Sequence, residues 1–219
     1  MRVKEHAVFL NEQPFISSEP KPSSFAQKED EIIWNAFRSG DEAAFVYIYN
    51  TYYPVLTNYA YQISKDNDLI RDCLQDFFIE IRVRRSKLGN VKSIKLYLMV
   101  SYRRRLLKYL KAERKAFDQQ LEIARDNFEI QVSCEDILIE NQLNHEKKEK
   151  LQKAFAQLTN KEREALYYYY YENMSYNQIT ELFNYSKVKT TRNLVYQALD
   201  KLRDLLISIV GLLFVDCIY

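Results

Sequence analysis

The sequence predicts an all-α protein of two small helical domains joined by an acidic linker, the second a helix-turn-helix of the winged-helix-like DNA-binding class without strands. Three observations predict it. The 219 residues include only three glycines (Gly40, Gly89, Gly211) and four prolines, three of them before residue 25, so helix breakers are scarce over most of the chain. From about residue 30 onward apolar residues recur at steps of three and four, with no competing alternation. Charge is also segregated: Arg103 to Lys115 holds seven basic residues against one acid, while Ala116 to His145 holds seven acids against Arg125 alone. An acidic, weakly periodic stretch of that kind reads as a linker between two units with different partners.

Residues 1–29, with Pro14, Pro20, Pro22 and paired serines, read as a disordered leader that cannot bury enough apolar surface to fold alone. They lack a continuous apolar segment, so neither a signal peptide nor a membrane anchor is indicated. The first unit is assigned to residues 30–115. A short helix from Asp30 (Ile32, Ile33, Trp34, Phe37) stops at Gly40. Asp41 caps a longer one carrying Phe45, Ile48, Tyr52, Val55, Leu56, Tyr59 and Ile63, which Pro54 should kink. A third helix begins at Asp66 to Asp68 and buries Leu69, Ile70, Cys73, Leu74, Phe77 and Ile81. Its other face sets Asp72, Gln75, Asp76 and Glu80 around Ile79 and Val83, a mixture that suits a protein contact and equally a solvated surface.

After a loop at Lys87 to Val91, a fourth helix runs from about Ser93 past Lys111. Along it Arg104, Lys108, Lys111 and Lys115 recur at helical spacing, Arg103, Arg105 and Arg114 flank them, and Tyr97, Tyr102 and Tyr109 are interleaved. Such a cationic edge with little acid to neutralise it favours nucleic acid over a merely solvated face. Residues 116–145 form the linker.

The second unit covers residues 146–206. It opens with Leu151, Phe155 and Leu158, followed by a capping box of Thr159 with Glu162 and a run of tyrosines, Tyr167 to Tyr171, of which some must be core and some exposed. Ser175 with Gln178 is a second capping box. Asn184 then supplies a left-handed turn, and Ser186 is placed to cap a second helix. There Val188, Thr191, Val195, Ala198, Leu199 and Leu202 face inward, leaving Lys189, Arg192, Asn193, Tyr196 and Gln197 outside. A capped helix followed by a helix with a polar, cationic outer face is the geometry that enters a major groove, although any helical hairpin with a solvated face would look the same from this stretch alone. The tail, residues 207–219, is apolar, but the run from Leu205 to Val215 has about half the roughly 20 residues that a membrane helix needs.

Cys73, Cys134 and Cys217 are odd in number and widely spaced, which fits inert thiols in a reducing cytosol. No zinc-site spacing and no constellation of nucleophile, base and orienting group occurs, so neither a metal, a cofactor nor an enzymatic reaction is expected.

Taken in order, these motifs resemble the extracytoplasmic-function (ECF) sigma factors, members of the sigma-70 family that direct RNA polymerase to promoters. The resemblance runs from about Asp30 to Leu206. GDEAAFVYIYNTYYPVLTNYA is similar to the opening region, and LIRDCLQDFFIEI matches a D-x-x-Q-[DE]-x-F pattern with Asp72, Gln75, Asp76 and Phe78. IKLYLMVSYRRRLLKYLKAERK is similar to the promoter-melting region, and LQKAFAQLTNKEREALYYYYYENMSYNQITELF with KVKTTRNLVYQALDKLR is similar to the fourth region. Where the family has an Arg-Asn pair, this chain has Arg103 and Arg104, and its turn carries Asn184 in place of glycine. The tyrosine- and lysine-rich composition looks most like members from Bacteroidetes.

The resemblance implies definite roles. Asp72, Gln75, Asp76, Ile79 and Glu80 would dock on core RNA polymerase. Lys92, Lys95, Arg103, Arg104, Lys108 and Lys111 would hold the minus-ten element of promoter DNA, with the loop Ser86 to Lys92 capturing an extruded base. Lys187, Lys189, Thr190, Arg192, Asn193 and Tyr196 would read the minus-thirty-five element. The implied partners are core polymerase and promoter DNA, with an anti-sigma factor optional. A cytoplasmic location is expected, with no small-molecule substrate, no cofactor and no membrane insertion. The competing reading is a stand-alone helix-turn-helix regulator, which leaves the face at Asp72 to Glu80 idle.

Overall fold

The computed structural model describes residues 25–117, 128–130 and 151–216, with side chains described for 25–112, 128–130 and 151–205. Helices account for the regular structure, and no strand occurs among the described residues. In the first unit α1 spans Asp30–Arg38, α2 Glu42–Tyr61, α3 Asn67–Val83 and α4 Ile94–Phe117, with a 3-10 turn at Arg85–Lys87. The second unit contains α5 (residues 151–156), α6 (Asn160–Leu166), a π-helical turn (Tyr167–Tyr171), α7 (Tyr176–Leu182) and α8 (Val188–Asp216).

Local chemistry explains the boundaries. Gly40 takes φ +99° between α1 and α2, where a side chain would be strained. The Asp41 carboxylate then accepts from the backbone N–H groups of Ala43 and Ala44, and Asp66 does the same for Asp68 and Leu69 at the start of α3. Pro54 lies inside α2, which continues past it. Both predicted capping boxes form, at Thr159/Glu162 and Ser175/Gln178. Asn184 adopts φ +56°, as its predicted turn requires, but α8 opens at Val188, one residue later than a Ser186 cap would place it.

The core of the first unit stacks Ile33, Trp34, Phe37, Ile48, Leu56, Leu74, Phe78, Leu98 and Leu106 between α1, α2, α3 and α4. Trp34 donates its indole N–H to the Gly89 carbonyl (2.8 Å), and Asp30 accepts from the Ile94 N–H (2.8 Å), so the loop ahead of α4 is pinned to α1 at both ends. Phe25, inside the stretch assigned to the disordered leader, is instead buried and packs beside Tyr47, a long-range contact that leaves no mark on local spacing. The second unit has its own small core of Ala154, Leu158, Ala165, Leu166, Val195, Ala198 and Leu202.

The units nevertheless share packing. Tyr167, Tyr168, Met174, Ile179 and Leu182 belong to the same apolar cluster as the first unit's core, and the described part of the linker joins it through Phe128. The Glu129 N–H donates to the Gln62 carbonyl (2.6 Å), tying that piece of linker to the end of α2. Residues 116–117, assigned to the linker, are the last two of α4, while 118–127, 131–150 and the first 24 lie outside the described residues. α8 continues through residue 216, so the apolar tail begins as a continuation of the second unit's last helix. No described helix is long and apolar enough to cross a membrane.

Candidate nucleic-acid interface

In the second unit α7 and α8 are joined by a buried polar contact. The hydroxyls of Thr180 and Thr191 lie 2.7 Å apart, and Thr180 also donates to the Tyr176 carbonyl (2.6 Å). Thr191 is fully buried with Val195 and Ala198, which turns the opposite side of α8 outward. All six residues predicted to read the minus-thirty-five element, Lys187, Lys189, Thr190, Arg192, Asn193 and Tyr196, are exposed on that side. The Arg192 guanidinium rests over the Tyr176 ring (5.5 Å), which is itself stacked on Tyr169 (4.8 Å between centroids), so aromatic rings support the arginine at the surface.

The cationic edge of α4 divides. Arg104, Lys108 and Lys111 are exposed at helical spacing, as is Lys92 in the preceding loop. The other two predicted minus-ten residues are engaged by the second unit. Arg103 donates Nε to Oε1 of Glu164 (2.6 Å) and Nη2 to Oε2 (3.0 Å), a bidentate pair with a carboxylate whose side chain is only 7% exposed. Oε1 of Glu164 also accepts from the phenols of Tyr59 (2.9 Å) and Tyr168 (2.8 Å), whose rings stack 5.7 Å apart. Burial lowers the guanidinium's proton affinity, but the Glu164 carboxylate outweighs it and holds Arg103 charged. Burial first, and then Glu164, push the Tyr59 and Tyr168 hydroxyls far above their ordinary range, so both remain donors.

A second clamp lies at the other end of the same contact. Lys95 Nζ donates to both the carbonyl and the carboxylate of Glu172 (2.7 Å each), while Tyr167 donates to the other carboxylate oxygen (2.9 Å). Arg103 further lies over the Phe183 ring of the second unit (5.6 Å). Glu164, Glu172, Tyr59 and Tyr168 carry this arrangement; the sequence pattern places Tyr59 on an apolar stripe and Tyr168 in the tyrosine run, but points to neither carboxylate and to no contact among the four. The available signal was a carboxylate, Glu164, placed just before Ala165, Leu166 and the tyrosine run.

On α3, Asp72, Gln75, Asp76 and Ile79 are exposed, Ile79 at 46%, and Val83 beside them reaches 73%. Glu80 differs from its neighbours: it is half-buried and bonded to Arg84 (2.7 Å) and to Arg105. The hydrogen bond from Arg84 and that from Arg105 hold its carboxyl below the usual range. Behind this face Cys73 is buried, and burial pushes its thiol up to about 11, which makes it an unreactive core residue. Cys134, Cys217, His6 and His145 lie outside the described residues. Among the described residues no cluster of His, Cys, Asp and Glu could hold a metal ion.

Residues 154–204 match the family described as Sigma-70, region 4. No curated protein is significantly similar to the chain. Among solved structures, CnrH in complex with the cytosolic domain of CnrY is similar with a TM-score of 0.56 at 14% identity, covering 83% of this chain and 99% of that one. The sigma factor RpoE in complex with the anti-sigma factor NepR from Bartonella quintana is similar with a TM-score of 0.55 at 17% identity, covering 74% of this chain and 96% of that one. The all-α fold is therefore shared over most of the chain with a sigma factor, and the segment that carries the helix-turn-helix matches the sigma-70 region 4 family.

Proposed function

We propose that the chain is a sigma factor of the extracytoplasmic-function type, which binds core RNA polymerase and directs promoter-specific initiation. The observation that carries the reading is the region 4 match over 154–204 together with the outward, exposed set of Lys187, just before α8, and Lys189, Thr190, Arg192, Asn193 and Tyr196 on it. In this reading α8 reads the minus-thirty-five element from the major groove. The exposed cations of α4 and the loop before it hold the minus-ten element while its strands separate. The carboxylate and apolar surface at Asp72, Asp76, Ile79 and Val83 docks on the polymerase, which supplies the catalysis. An anti-sigma factor is a fitting regulator, since both solved relatives above were captured in complexes, one of them with a protein named as such.

In vitro transcription with core polymerase and genomic DNA tests the reading directly: addition of the chain should produce discrete start sites sharing two upstream elements. Asp76→Lys should abolish capture of core polymerase while far-ultraviolet circular dichroism stays unchanged. Undiminished capture would remove α3 from the docking surface.

A further inference from the structure

The contact between the two units has an unusual composition. Its centre is a buried carboxylate that accepts two N–H groups of Arg103 and two phenols, and its edge is a second carboxylate that takes Lys95. Both cations come from α4, and both carboxylates come from the second unit, 61 and 77 positions away in sequence. Two oxygens offered side by side to a guanidinium are also what a phosphate offers. Glu164 therefore occupies Arg103 as a phosphate group would.

We propose that Glu164 and Glu172 form an electrostatic latch that holds the two units closed by occupying Arg103 and Lys95, so that nucleic-acid phosphate reaches these two cations only when the units part. The latch rests on the contacts alone, whereas its competition with DNA rests on the function proposed above. The energetics suit a reversible device. Burying an ion pair costs nearly as much in lost hydration as the attraction returns, so exchanging the carboxylate for a phosphate is close to balanced. Contacts between domains of one chain also behave like transient interfaces. Closure leaves Arg104, Lys108, Lys111 and the outer face of α8 exposed. The closed chain can thus still meet DNA, but without its full set of contacts.

The test uses the full chain in two measurements, small-angle scattering for the radius of gyration and fluorescence anisotropy with a labelled single-stranded oligonucleotide. Glu164→Gln should expand the free protein and tighten binding about tenfold, within the usual range of coupling between sites. Asp200→Asn removes the same charge from an exposed pair with Arg203 and should change neither. Tyr168→Phe, which deletes one donor to Glu164 and keeps the ring, should shift both readouts in the same direction by less, and it decides the matter if circular dichroism finds Glu164→Gln unfolded. A radius and an affinity both equal to wild type would overturn the latch. Expansion without tighter binding would uphold the latch and overturn the assignment of Arg103 and Lys95 to DNA. Tighter binding by Asp200→Asn as well would reduce the effect to overall charge and overturn the competition.

Discussion

Helices α4 and α8 both turn cations outward, yet they differ in what stands beside that row. On α8 the inner face is sealed by Thr191, Val195 and Ala198, and Lys189, Arg192 and Asn193 are exposed, with Arg192 resting over the Tyr176 ring. On α4 the exposed row of Arg104, Lys108 and Lys111 is bordered on one side by Arg103, taken by Glu164, and on the other by Arg105, taken by Glu80 and Asp76. The same residue type at the same helical spacing is thus a surface group on one helix and an internal ion-pair partner on the other. The difference teaches that a cationic periodicity locates a face but not its availability, which is decided by carboxylates far away in sequence.

The strongest way to break the comparison is to remove the carboxylate itself. Glu164→Ala would leave Arg103 half-buried without its counter-charge and two buried phenols without their acceptor, so a loss of about 3–5 kcal/mol is expected in urea unfolding. The same change at an α8 cation, such as Lys189→Ala, should be nearly silent in that measurement because nothing buried depends on it.

The next test separates the helices by what they do to DNA. Arg192→Ala should cost about 1–3 kcal/mol at the cognate upstream element and much less on unrelated sequence. Arg104→Ala should weaken all sequences alike and lower the salt slope by about one. Competition binding across a salt series measures both, and equal loss on cognate and unrelated DNA for Arg192→Ala would place the reading face elsewhere.

Much of this was legible beforehand. The helix starts at Asp41, Asp66, Thr159 and Ser175 follow from side-chain capping, which is local chemistry, and the left-handed Asn184 follows from turn chemistry. The faces of α8 were legible because a 3.6-residue period separates buried Thr191 and Val195 from exposed Arg192 and Asn193. The division of the tyrosine run, with Tyr167 and Tyr168 buried and Tyr170 and Tyr171 exposed, was required by the same geometry. What periodicity could not reveal is the pairing of Arg103 with Glu164, of Lys95 with Glu172 and of Glu80 with Arg105, because long-range partners leave no mark on spacing. The burial of Phe25 and Phe128 escaped for the same reason: each is a single aromatic in a stretch with no helical period of its own.

A smaller effect probes how α8 is aimed. Thr191→Val keeps the shape of the buried side chain and removes the hydroxyl that meets Thr180, while Thr180 retains its bond to the Tyr176 carbonyl. Stability should fall by about 1 kcal/mol. Because α7 and α8 are then held only by apolar packing, promoter selectivity should drop more than affinity for unrelated DNA, and the exposed row on α4 should be unaffected.

The smallest effect concerns Glu162, whose carboxylate belongs wholly to the second unit. It accepts from the Thr159 N–H (2.8 Å) and from Lys201 (2.6 Å), so it both caps α6 and ties it to α8. Burial pushes its carboxyl up, but Lys201 and the Thr159 N–H together outweigh burial and hold it below the ordinary carboxylate range. A folded value below the unfolded one, about 4.3, means that the unfolded chain binds more protons between the two. The contribution is therefore complete above the unfolded value and is lost as pH falls through the folded one. Urea midpoints of wild type and Glu162→Gln should be furthest apart at neutral pH and converge on acidification below about pH 4. A gap that stays constant with pH would assign the role of Glu162 to packing, and would leave the cross-unit carboxylates, Glu164 and Glu172, as the ones whose charge matters to the fold.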